Sequence, residues 1–257
     1  MESVISYKPF ENSEVEEAKL KGKVIGILGG MGPEATAELF FRIIKETPAE
    51  SDQDHPRIIV DNNPKIPDRT AAILGEGENP LPEMVKTAKN LERAGADFIV
   101  MPCVTAHYYY NDLRKGVKIP VLNMIELTAQ TIREGFPNVK KVGFLGTTGT
   151  VKTKIFDNPL NRVGVKAVYP SDENQKRVMK AIYTYIKAGK ILEGRKIVIE
   201  EANHLIDLGA DAIICGCTEI SLVLKDGDIA KPVIDPLQIL ARNAVMIALG
   251  RAPIPKV

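Results

Sequence analysis

The sequence predicts an α/β protein made of two similar halves, each built around a parallel sheet. Apolar runs of strand length alternate with longer stretches of helical period, the pattern of βαβ units. The second half of the chain repeats the first at a near-constant offset. Glycine and proline stand where strands hand over to helices.

The elements follow in order. "KVIGIL" at 23–28 reads as a strand, and "PEATAELFFRIIKET" at 33–47 as a helix entered through Pro33, a residue suited to a first turn. "RIIVD" at 57–61 is the next strand. "PLPEMVKTAKNLERAG" at 80–95 places Leu81, Val85, Ala88 and Leu91 on one helical face, and Gly95 ends that helix before the strand "DFIVMP" at 97–102. The second half repeats the plan. "VGFLGTTGT" at 142–150 matches "IGILGGMGP" at 25–33, and "LGADAIICGCT" at 208–218 matches "AGADFIVMPCV" at 94–104. "KPVIDPLQIL" at 231–240 resembles "IPVLNMIEL" at 119–127. Three matches held in register indicate two homologous halves.

Composition narrows the function. With 257 residues and a formal net charge of +1, the chain has room for a substantial core and no electrostatic case for nucleic acid or an anionic membrane. Apolar runs such as Phe98 to Met101 fall far short of the roughly 18 residues a bilayer requires. The first residues lack the apolar core of a signal peptide, so a soluble, cytoplasmic protein is expected. Three cysteines and three histidines form no spaced ligand cluster, so neither a disulfide scaffold nor a zinc site is expected.

The repeat gives two cysteines a position. Cys103 and Cys217 both follow a strand and precede a helix, where open parallel sheets gather their ligands. A helix amino terminus there favours a thiolate, and halves facing each other would bring both thiols to one cleft. Cys215, inside its strand, reads as a small buried hydrophobe. Gly29, Gly30 and Gly32 form neither G-x-G-x-x-G nor a Walker loop, and suit amides approaching a small carboxylate. Arg69, in the polar loop "DNNPKIPDRT", suits a carboxylate clamp. Lys187 suits its helix end, His107 a ligand or a helix cap, and Tyr108 to Tyr110 packing.

"GILGGMGPEAT", "NNPKIPDRT", "MPC-x-TAH", "IKAG" and "GCTE" occur in this order, and with them the chain resembles the aspartate/glutamate racemase family from residue 23 to residue 249. The resemblance implies two pseudo-symmetric domains, each a four-stranded parallel sheet flanked by helices, with the active site between them. One domain would comprise residues 22–117 plus 233–257 and the other 118–232, with 1–21 as an added arm. It implies inversion of an amino-acid α-carbon without pyridoxal phosphate or any other cofactor or metal. Cys103 and Cys217 would be the paired acid and base, Arg69 and Lys187 the carboxylate partners, and Met31, Thr105, Thr148, Thr218 and Glu219 would surround the ligand. Where the family carries asparagine after the first cysteine, this chain has Val104, so that position lacks the amide. The partners implied are an acidic amino acid and a second copy of the chain in a homodimer. A cysteine-dependent isomerase of the hydantoin racemase or maleate isomerase type, and a carboxylate-binding homologue without turnover, are the alternatives.

Overall fold

A computed structural model of the chain describes residues 22–254; the arm expected over 1–21 lies outside them. The first half runs β1 (Ile25–Gly29), α1 (Pro33–Glu46), β2 (Ile58–Asn62), α2 (Arg69–Leu74), α3 (Leu81–Arg93), β3 (Phe98–Val100) and α4 (Tyr110–Lys115). Helix α5 (Met124–Gly135) crosses to the second half: β4 (Lys141–Gly146), α6 (Thr148–Thr153), α7 (Asp157–Arg162), β5 (Lys166–Val168), α8 (Asp172–Lys180), α9 (Ile191–Asp207), β6 (Ala212–Gly216), α10 (Thr218–Val223), β7 (Val233–Ile234) and α11 (Pro236–Ala248).

The repeat read from the sequence is a repeat of hydrogen-bond register. The sheets are ordered β2-β1-β3 and β5-β4-β6-β7, with every pairing parallel. Ile25 pairs with Phe98 in the first sheet as Val142 pairs with Ala212 in the second. Strands β1 and β6 are buried at every residue, as expected of parallel strands covered on both faces.

The expected fourth strand of the first sheet is reduced to one parallel bridge, Ile99 to Val121. The Ile99 amide donates to the Pro120 carbonyl at 2.8 Å, as the Ile213 amide donates to the Pro232 carbonyl at 3.0 Å. Proline has no N–H to extend the ladder toward the strand start. In the second half Ile234 continues the pairing opposite Ile214; in the first, the chain turns at Asn123, whose side chain accepts from the Ile125 and Glu126 amides at the start of α5.

The halves share one core, in which Ile25 and Phe98 join Val142, Phe144 and Leu240 in a single apolar cluster. Although β7 belongs to the second sheet, α11 packs against both α1 and α5. Its cap, Asp235, accepts from the Leu237 and Gln238 amides and receives Arg42 of α1 at 2.5 Å. The carboxyl ends of β1 and β3 therefore face those of β4 and β6. Gly149 of α6 closes the approach: a Cβ there would lie 3.0 Å from the Thr70 hydroxyl and 3.3 Å from the Thr105 methyl.

Candidate active site

Residues from both halves line one narrow cleft whose free volume is about 20 Å³, room for about one water molecule. Both Cys103 and Cys217 line it, and both are almost fully buried, at 7 % and 6 % exposure. Met31, Arg69, Val104, Thr105, Lys187, Thr218 and Glu219 also line it. Thr148 does not: it opens α6 with its hydroxyl beside the Gln175 amide at 3.4 Å, while Thr147, one residue earlier, faces the cleft. Asp68, Thr70, Thr147 and Tyr183 line the cleft as well, and none of them is among the site residues expected from the sequence. Thr147 was within reach as the first hydroxyl residue of "TTGT", the stretch that matches the end of "IGILGGMGP" and whose first side chain caps α6, whereas no local pattern marks Tyr183.

Cys103 is held through its backbone. His107 Nδ1 lies 2.8 Å from the Cys103 carbonyl, and Nε2 accepts from the Met124 amide at 3.1 Å. An accepting Nε2 requires the neutral ring, so Nδ1 carries the proton and donates. Burial lowers the His107 pKa from 6.5 to about 4, keeping it neutral. Thus His107 caps the following helix rather than meeting a ligand. Tyr110 is buried with its hydroxyl donating to the Val121 carbonyl, whereas Tyr108 is 53 % exposed, so only part of the tyrosine run packs.

Burying this histidine has a pH cost. With its folded pKa depressed, the stability it permits is complete above 6.5 and is lost as pH falls toward 4. The loss amounts to about 3 kcal/mol. Chemical denaturation at pH 7 and pH 4 is expected to show that much less acid sensitivity in His107→Gln than in wild type. An equal drop in both proteins would remove His107 as its source.

The Cys217 side is electrostatically different. Cys217 is the N-cap of α10, and its Sγ donates to Glu219 Oε2 at 2.8 Å. Glu219 Oε1 meets Lys187 Nζ at 2.5 Å, and the Thr218 hydroxyl donates to Oε2 at 3.3 Å. The sequence reading expected the helix terminus to favour a thiolate here. Instead burial, and then the Glu219 carboxylate, push the Cys217 thiol well above its usual value. Glu219 moves the other way: burial opposes its charge, but Lys187 and the thiol donor hold its carboxyl below the usual value. Lys187 is therefore already paired. Gly32, the N-cap of α1, lies against this pair, since a Cβ there would be 3.6 Å from Lys187 Nζ.

Two features join the halves across the cleft. Thr105 Oγ1 lies 3.0 Å from Thr147 Oγ1 and 2.8 Å from Thr150 Oγ1, and the latter two are 3.2 Å apart. Tyr183 donates to Asp68 at 3.2 Å while its ring carries the Lys187 ammonium 5.5 Å from the centroid. Asp68 also caps α2 by accepting from the Ala71 amide. Arg69 spends Nη1 on the carbonyls of Ile66 and Pro67, at 3.1 and 2.8 Å. Its Nε is buried without a partner among the described residues. Such a donor is costly unless something in the cleft accepts from it.

Among the described residues, no group of three or more His, Cys, Asp or Glu side chains is placed to hold a metal, and no helix is long and apolar enough to cross a membrane. The family description Asp/Glu/hydantoin racemase matches residues 28–244. The broad-specificity amino-acid racemase RacX of Bacillus subtilis (strain 168) is 28 % identical over 233 residues, covering 88 % of this chain and 99 % of its own. The aspartate racemase of Picrophilus torridus superposes with a TM-score of 0.79 at 35 % identity, covering 89 % of this chain and 95 % of that one. An aspartate racemase homologue from Pyrococcus horikoshii OT3 gives 0.71 at 25 % identity, covering 88 % and 99 %. Motif order, fold and family match agree: the chain belongs to the Asp/Glu/hydantoin racemase family and is an isomerase of the amino-acid racemase type.

Proposed function

We propose that this protein racemises an acidic amino acid, aspartate or glutamate, without a cofactor, using Cys103 and Cys217 on opposite faces of the α-carbon. The observation that carries this reading is the lining of one small cleft by two buried thiols from equivalent strand ends of the two halves. One thiolate removes the α-proton from one face while the other thiol delivers a proton to the opposite face. Arg69 presents its unpartnered Nε to the side-chain carboxylate, a charge-assisted contact. Charge developing on the α-carboxylate is met by the Thr105 hydroxyl and by the Thr218 hydroxyl, which leaves its 3.3 Å contact with Glu219 Oε2 to do so, with Met31 closing the wall. A well-placed donor of this kind contributes roughly 3 to 4 kcal/mol to lowering the barrier.

Incubation with L-aspartate, L-glutamate and L-alanine in deuterium oxide tests the reading. The expected result is loss of the α-proton signal with appearance of the D-enantiomer for an acidic substrate, faster than for alanine. Alanine as the best substrate would remove Arg69 as the specificity determinant. No exchange on any amino acid would reject the racemase reading.

A carboxylate-binding protein without turnover is the second reading, and Val104 favours it. This side chain is 2 % exposed, lines the cleft and offers no hydrogen bond where the family pattern carries an amide. It predicts thermal stabilisation by aspartate with no exchange. Under the first reading, Val104→Asn is expected to raise kcat/KM for aspartate about tenfold, since a hydrogen bond to a charged group contributes about 1.5 to 3 kcal/mol. No gain in a folded variant would show that the valine belongs to a differently shaped substrate.

A further inference from the structure

The two thiols occupy equivalent positions in the repeat but not equivalent surroundings. Cys217 donates to a carboxylate; Cys103 has its backbone carbonyl tied to a neutral histidine. We infer that Glu219 is the group that keeps Cys217 protonated in the resting site, so that Cys217 begins the reaction as the acid and Lys187 serves to hold Glu219 ionised. The inference rests on the two-thiol racemase reading and assigns roles within it.

Geometry supports it. Glu219 is 6 % exposed, and its two oxygens divide their partners: Oε1 takes Lys187 and Oε2 takes the Cys217 thiol, with the Thr218 hydroxyl alongside. A carboxylate bonded to an ammonium on one oxygen is an acceptor on the other. The thiol facing it must donate, so the proton resides on sulfur. A Cys217 thiolate would set two buried anions 2.8 Å apart, which low-dielectric surroundings strongly oppose. The other charged or titratable groups of this cleft are Lys187, Tyr183 and Cys217's own neighbour Glu219 from the second half, and Asp68, Arg69 and Cys103 from the first. Lys187 and Arg69 are the cations among them. Lys187 is paired with Glu219, and Arg69 has its Nη1 on backbone carbonyls.

The proton count closes over one turnover. When Cys103 is the base, the Cα–H bond breaks and an S–H bond forms on Cys103. The Cys217 S–H bond breaks as the new Cα–H bond forms on the opposite face, leaving a thiolate beside Glu219. Repulsion from the carboxylate then favours return of a solvent proton to Cys217, while Cys103 releases its proton to solvent. Glu219 stays ionised throughout and loses and regains a donor.

Alkylation tests the inference separately from turnover. Iodoacetamide labelling of the whole protein at pH 7, with tandem mass spectrometry locating the label on Cys217, reports its thiolate fraction. Glu219→Gln removes the anion and leaves Lys187 unpaired, so Cys217 labelling is expected to rise about tenfold. In Glu219→Gln, the alkaline limb of kcat/KM should also move to lower pH by about a unit, and Glu219→Asp should return part of the wild-type behaviour. Unchanged Cys217 labelling in Glu219→Gln overturns the inference. A simple loosening of the fold would raise Cys103 and Cys215 labelling as well, and that result also overturns it. A rise confined to Cys217 labelling in Glu219→Gln, in a protein that exchanges no amino acid, would uphold the role of Glu219 and reject the racemase reading instead.

Discussion

Cys103→Ala and Cys217→Ala are each expected to lower racemisation by a factor on the order of 10³ or more, in both directions. Each thiol serves one face of the α-carbon, and a general acid or base is worth about 10² to 10⁴ in rate. Because enantiomers have equal free energies, kcat/KM must fall equally for the L and D substrates whichever thiol is removed. Proton exchange without inversion escapes that constraint. A variant with one thiol left can remove the α-proton of one enantiomer and return deuterium to the same face. Residual exchange in the two variants should therefore show opposite enantiomer preferences, read by NMR with each pure enantiomer. Cys215→Ala is the control: its sulfur lies within β6 at 0 % exposure, where burial pushes the thiol well up, and it does not line the cleft. Normal racemisation by a folded Cys103→Ala protein would end the two-thiol mechanism.

Gly30→Ala is expected to destabilise the fold by about 3 kcal/mol or more, combining left-handed backbone strain with overpacking. Gly30 has φ +92°, and a Cβ there would lie 2.2 Å from the Asn63 carbonyl carbon and 2.3 Å from its oxygen. These are backbone atoms anchored beyond the end of β2, with the Asn63 amide itself donating to the Gly29 carbonyl, so they have little freedom to yield. In a chain of this size such a loss lowers the melting temperature by roughly 6 to 12 °C. Gly75→Ala provides the comparison. Gly75 has φ +78° but no atom within 4 Å of the added Cβ, so only the backbone cost of about 1 kcal/mol applies. Equal melting temperatures for the two variants would show that the Asn63 contact yields freely. Gly30 precedes Met31, so the same substitution also disturbs the wall of the cleft.

The repeat was legible because its signals are local. Strand-length apolar runs, the glycines at 26 and 143 and the prolines at 120 and 232 recur in the same order, and they mark equivalent register positions in the two sheets. Locality also set the errors. "IPVL" looks like a full counterpart of "KPVI", yet it contributes one bridge, because the pairing beyond it is decided by where α5 begins. Thr147 and Thr148 are adjacent hydroxyl residues, and only the direction of entry into α6 determines which of them lines the cleft.

The sequence by itself determined the α/β class, the two-fold repeat and the placing of Cys103 and Cys217 at equivalent strand ends, because hydrophobic period and turn chemistry are properties of neighbouring residues. Only the tertiary structure decided that Lys187 is paired with Glu219, that Tyr183 reaches Asp68 across the cleft, and that Cys217 bears a proton rather than a helix-stabilised negative charge. Those outcomes join residues far apart in the chain. Their sign depends on burial, since the field of a six-residue helix is overcome by desolvation and a carboxylate 2.8 Å from the sulfur.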